Sequence, residues 1–158
     1  MNNRKNIKNI LYSEYLSSCN SRLNSEEYLM LEKVRKGTDW VDVIQKQEFK
    51  CYYCMTDIRI IQKLIVSNLI GLRKRGLAGY SGLHFELDHK NAVKEDNNPQ
   101  NLVAACYYCN NDKSNTFSAE VFLNYFGPQR KVAFDKLIQD NEIETDVFFT
   151  HHLSISKQ

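Results

Sequence analysis

Four of the five cysteines stand in two pairs with the same spacing and the same filling, Cys51-Tyr52-Tyr53-Cys54 and Cys106-Tyr107-Tyr108-Cys109. Two residues between cysteines let one tight turn present both thiolates to a single ion. Two such knuckles complete a tetrahedral, closed, structural zinc site. A gap of 51 residues separates the pairs, so the metal would tie distant segments around an intervening element. The alternatives are four buried thiols or one redox pair; Cys19 reads as a small apolar residue. A second group is more scattered: Asp88-His89, Asn101 after a polar loop, Asn110 directly after the last knuckle cysteine, and Lys113. An Asp-His dipeptide alone says little. Its value depends on what places it.

The elements that must position these groups follow from periodicity. Residues 1–36 read as helical, with Leu23, Tyr28, Leu31 and Val34 at helical spacing and Gly37 as a C-cap. Thr38 or Asp39 then caps a short helix, 39–47, with Trp40, Val43 and Ile44 on one face. A stripe of Ile58, Ile61, Leu64, Ile65, Leu69 and Leu72 predicts a helix over 57–75. Four of the six glycines cluster at Gly71, Gly76, Gly79 and Gly82 and mark a turn or loop. His84 to His89 alternates and reads as a strand, which places His84, Glu86 and Asp88 on one face. Residues 91–101 read as a loop, and Cys109–Asn115 as the opening of a helix. Ser118 caps a helix through Tyr125 that Gly127 ends, and Pro128 suits the start of a last helix to about Ile138.

Composition bounds the classes. The 158 residues are 42% hydrophobic and 25% charged, as expected for one globular domain with a real core. The longest apolar run, Leu102–Cys109, has eight residues, too few to span a membrane. The first residues lead into no apolar stretch, so the expectation is no signal peptide and a cytoplasmic protein. A net charge of +2 identifies no nucleic-acid binder by itself. Arg59, Lys63, Arg73, Lys74 and Arg75 nevertheless form a basic run, and Asp140 to Asp146 an acidic one.

In order along the chain, Cys-x-x-Cys, Glu-Leu-Asp-His and Asn-Leu-Val-Ala-Ala-Cys-x-x-Cys-Asn-x-x-Lys resemble the HNH endonuclease family, over roughly residues 38–116. Lys113-Ser114-Asn115-x-Phe117-Ser118 also resembles small zinc-bearing HNH enzymes of the restriction type. The resemblance implies an α+β, helix-rich single domain around a ββα-metal motif, stapled by Cys51, Cys54, Cys106 and Cys109. It implies a helical N-terminal extension over 1–37, a nuclease core over 38–118 with an insertion at 55–83, and C-terminal helices and tail over 119–158. His89 would be the general base and Asn101 would hydrogen-bond within the loop and orient it. Asp88 and Asn110 would ligate one catalytic divalent cation. Many members have His where this chain has Asn110; an amide oxygen favours Mg²⁺ or Mn²⁺ over zinc. Glu86, His84 and Lys113 are auxiliary candidates, Lys113 as a phosphate contact or a solvated helix residue. Arg73, Lys74 and Arg75 are candidate DNA-backbone contacts. DNA is the implied substrate, in a bacterial or phage setting, and a chain with one site needs a homodimer to cut both strands at once.

Two other readings compete. A zinc-stapled nucleic-acid-binding module would keep the knuckles and basic runs and need no base. A zinc nucleobase deaminase shares His84-x-Glu86 and Cys106-x-x-Cys109, but Ala105 stands where that signature has Pro, and Cys51 and Cys54 are left without a role.

Overall fold

The computed structural model describes residues 25–71, 73–74 and 80–145, and side chains from residue 28 onward apart from those of residues 73, 74, 80 and 81. Leu23, Cys19, Leu72, Arg75, Gly76, Gly79, Asp146, His151 and His152 lie outside the described residues, as does the predicted helix before residue 25.

Helix α1 spans Ser25–Lys36. Its inward face keeps part of the predicted stripe, Tyr28 and the partly buried Leu31, but not Val34. Tyr28 and Glu32, four apart, are buried, while Val34 is 55% exposed. A glutamate tolerates that burial because it is paired. Arg35 donates to Glu32 from Nε and Nη2, the latter at 2.8 Å, and Trp40 Nε1 donates to Glu32 Oε2. Gly37 follows at φ 92°, ψ −179°, a backbone open in practice only to glycine, and turns the chain directly into helix α2, Thr38–Lys46. Gly37 therefore occupies the N-cap position, and Thr38 is already helical. Trp40 and Ile44 are buried, as the amphipathic spacing requires.

Helix α3, Ile58–Val66, starts where Asp57 accepts a hydrogen bond from the Arg59 amide at 2.8 Å. Ile58, Ile61, Leu64 and Ile65 are buried as predicted. The helix stops nine residues short of the predicted end. Asn68 adopts φ 58°, its amide donates to Ile65 O at 2.9 Å, and the Leu69 amide donates to Leu64 O at 3.0 Å. That pair of bonds is a Schellman termination, with Asn in the left-handed position. The segment beyond forms a small hairpin instead, β1 (Arg73–Lys74) antiparallel to β2 (Tyr80–Ser81).

A second hairpin pairs β3, Glu86–His89, with β4, Leu102–Ala105. Glu86 lies opposite Ala105 and His89 opposite Leu102. His84 is outside the strand, in a bend before it. The free edge of β4 is closed partly by a side chain. Gln47 Nε2 donates to Ala104 O at 2.8 Å, and Gln47 Oε1 accepts from the Ala104 amide at 2.9 Å. Helix α4, Tyr107–Lys113, follows β4 immediately and packs on β3.

The C-terminal part is one helical run. Ser118 caps α5 (Ala119–Val121), a π turn covers Phe122–Phe126, and α6 covers Gly127–Asp140. Gly127 does not end a helix, as predicted, but lies inside one at φ −56° and ψ −48°. Glycine is needed there for packing: a Cβ would sit 2.2 Å from Tyr53 O and 2.8 Å from Tyr53 C. Pro128 has no amide to donate into the preceding turn, and the helix widens into the π turn just before it. One core joins all these elements, from Tyr28 and Trp40 through the four cysteines to Phe122 and Phe134.

Candidate metal centre and hairpin site

The two knuckles share a sequence but not a backbone. Cys51–Cys54 lies in a turn closed by the Met55 amide donating to Cys51 O at 2.9 Å, with Met55 at φ 57°. Cys106 instead caps α4: its Sγ accepts from the Cys109 amide at 3.4 Å. The knuckles meet because Tyr52 N–H donates to Ala104 O at 3.0 Å and Cys106 N–H donates to Cys51 Sγ at 3.3 Å. All four Sγ atoms are buried and lie within 4.8 Å of one another, Cys54 and Cys106 at 4.0 Å. A tetrahedron with metal–sulfur bonds of about 2.3 Å puts its sulfurs about 3.8 Å apart, so the set fits a structural metal ion such as zinc. Burial pushes the Cys106 thiol well above its ordinary value. Four thiolates this close need a cation between them. Residues 51, 54, 106 and 109 are thus brought together as expected.

The middle tyrosines differ as well. Tyr108 OH donates to Gly71 O at 2.7 Å, while Tyr53 OH donates to Asp88 Oδ2. Burial, and then the Asp88 carboxylate, hold the Tyr53 phenol above its usual range, so it remains a donor. Lys113, fully buried, reaches Asp88 Oδ2 at 3.2 Å and Oδ1 at 3.4 Å, and sits 5.9 Å over the Tyr53 ring. Lys113 is therefore neither a solvated helix residue nor a group facing an outside phosphate. Sequence spacing did not foresee this: residues 53, 88 and 113 carry no local pattern that relates them.

One turn earlier on α4, Asn110 Nδ2 donates to Glu86 Oε2 at 2.7 Å. Strand alternation puts Glu86 and Asp88 on the helix-facing side of β3, and helical spacing puts Asn110 and Lys113 on the strand-facing side of α4. The predicted ligands Asp88 and Asn110 thus lie on facing elements, each bonded to a protein partner. Among the described residues, no group donates to Asn110 Oδ1.

His89 ends β3, partly exposed. Its Nε2 lies 3.2 Å from Asn97 Oδ1. An amide oxygen only accepts, so in this contact Nε2 is the donor. Asn101, 9% exposed, organises the loop between the strands: Nδ2 donates to Asn91 Oδ1 and Asp96 O, both at 2.9 Å, and Oδ1 accepts from the Asn91 amide at 3.0 Å. The bond within the loop is the one expected of Asn101. Asn97, not Asn101, makes the contact to His89. Asn97 was missed because the polar stretch 95–98 gives no periodic signal.

The other candidates stand as follows. His84 is half-buried, with its own contacts, before β3. Arg73 and Lys74 form β1, and Arg75 lies outside the described residues. Among the described residues the four cysteines are the one convergent set of three or more His, Cys, Asp or Glu side chains. No helix among them is long and apolar enough to cross a membrane. No family model, no curated protein and no solved structure matches this chain.

Proposed function

We propose that the chain is a metal-dependent endonuclease of HNH type, hydrolysing DNA phosphodiester bonds, with its hairpin and α4 serving as a ββα-metal motif and with zinc in the four-cysteine site. The observation that carries this reading is the hairpin–helix pair itself. One strand presents Glu86, Asp88 and His89, and the helix that opens at the second knuckle sets Asn110 against it at 2.7 Å. A binding module would need no base at the position of His89.

In this mechanism His89, held through Nε2–H by Asn97, takes a proton from water at Nδ1. Asn101 keeps the loop in the conformation that places Asn97. The carboxylate of Asp88 and the amide oxygen of Asn110 supply hard oxygen donors suited to Mg²⁺ or Mn²⁺. The cation, when bound, stabilises charge on the departing 3′ oxygen. Asp88 shares its carboxylate with Lys113 and Tyr53, and each carboxylate has about four lone-pair directions, so a further ligand bond remains open to it. DNA as substrate, a cytoplasmic setting and dimerisation for double-strand cutting belong to the same proposal.

The test is plasmid cleavage by zinc-loaded protein, with and without Mg²⁺ or Mn²⁺, beside a folded His89→Ala variant. The proposal expects metal-dependent nicking or linearisation that the variant loses by at least about 100-fold, the usual worth of a general base. Equal cleavage by both proteins would reject His89 as the base. DNA binding without cleavage under every metal would favour the binding module.

A further inference from the structure

An asparagine ligand has a weakness that a carboxylate or an imidazole lacks. Its amide has two ends of equal size, and only the oxygen can bind a cation. Left alone, the group rotates, and one of its two planar orientations offers the metal an N–H₂ donor. Something must fix the choice.

We propose that Glu86 is a positioning residue that selects the Asn110 amide orientation, turning Oδ1 toward the divalent cation by accepting from Nδ2. This rests on the reading of Asn110 as a ligand. The 2.7 Å contact to Glu86 Oε2 can be made by only one end of the amide, because an ionised carboxylate has no proton to give. Oδ1 is then directed away from Glu86, and no described group donates to it.

The geometry is tied to the cysteine site. Glu86 pairs with Ala105, the residue before Cys106. Cys106 caps α4, and its carbonyl accepts from the Asn110 amide at 2.9 Å. The second knuckle thereby fixes both the strand register beneath Glu86 and the helix turn that carries Asn110. The structural metal and the orientation of the proposed ligand are joined by three short links. Outer groups that orient metal ligands in this way commonly govern affinity as strongly as the ligands do.

Direct Mn²⁺ binding to the zinc-loaded full chain, followed by electron paramagnetic resonance without DNA, tests this. Glu86→Gln keeps size and strand fit but presents both a donor and an acceptor, so it no longer chooses an orientation. It should weaken Mn²⁺ binding by roughly 10-fold or more. Asn110→Asp offers a group with two identical oxygens, which needs no choosing. In that background Glu86→Gln should cost nothing, or strengthen binding by removing a neighbouring carboxylate. Zinc content and far-ultraviolet circular dichroism check that each variant is folded.

Equal weakening by Glu86→Gln in both backgrounds would make Glu86 a direct ligand and overturn the proposal. No weakening in either would also overturn it, while loss of binding in Asn110→Ala would leave the ligand reading standing. Absence of Mn²⁺ binding to the wild-type protein would overturn both.

Discussion

Replacing Lys113 by methionine separates a buried ion-pair partner of Asp88 from a phosphate contact. Its ammonium is fully buried, 3.2 Å from Asp88, in a cluster closed by Tyr53. At that separation and an effective dielectric near 20, the pair attracts by about 5 kcal/mol. Desolvation of the two ions offsets much of this, so the pair contributes little net stability against an apolar pair of the same volume. Removing one partner is different. Lys113→Met leaves the Asp88 carboxylate buried with a single phenol donor, which should cost about 3–5 kcal/mol. For a chain of this length that lowers the melting temperature by about 6–20 °C. Adding Asp88→Asn to Lys113→Met removes the stranded charge and keeps an acceptor for Tyr53, so the double variant should recover most of the loss. The assay is urea or thermal unfolding of all four proteins of the cycle at fixed zinc occupancy. The reasoning fails if Lys113→Met unfolds within about 0.5 kcal/mol of wild type, the behaviour of an ordinary surface substitution. Reduced DNA affinity with unchanged stability would return Lys113 to the phosphate role that its spacing after the second knuckle suggested.

Two further perturbations probe the frame around that cluster. Gly127→Ala places a methyl 2.2 Å from the Tyr53 carbonyl oxygen, which neither backbone can yield without moving α6 or the first knuckle; overpacking of this kind should cost about 1–3 kcal/mol in urea unfolding, and a neutral result would refute the close approach. Cys106→Ser removes a metal ligand, the cap of α4 and the acceptor for Cys109 N–H together, so zinc content should drop and the cooperative unfolding transition should be lost; full thermal stability with unchanged zinc would refute the four-cysteine assignment.

What the sequence made legible, and what it hid, divides along a physical line. Local, repeated signals survived folding. The duplicated knuckles converge, the stripe of Ile58, Ile61, Leu64 and Ile65 is buried, and Ser118 caps its helix. Signals that rest on a residue's intrinsic preference failed where tertiary contact outweighed it. Gly127 reads as a helix end because glycine is a poor helix former. It stays in the helix because only a residue without Cβ lets α6 approach Tyr53. Glu48 takes the left-handed position after α2 at φ 53°, where the Phe49 amide donates to Ile44 O at 3.1 Å and both Phe49 and Ile44 are buried. The candidate site shows the same division more sharply. Asp88, His89, Asn101 and Asn110 could be picked out by order along the chain, and Glu86 and Lys113 as auxiliaries, but the pairings among them could not. Asn97, Tyr53, Lys113 and Glu86 acquire their roles from the loop conformation, from the first knuckle, and from the facing of β3 and α4. Each is a polar group whose partner lies between 8 and 35 residues away. Hydrophobic periodicity carries no record of such pairs, because it reports which face is buried and not which donor meets which acceptor. The consequence is specific to this site. In the proposed mechanism Asp88, Asn110 and His89 would touch the cation and the water, and what the structure adds is the group that each of them meets: Lys113 and Tyr53 at Asp88, Glu86 at Asn110, and Asn97 at His89.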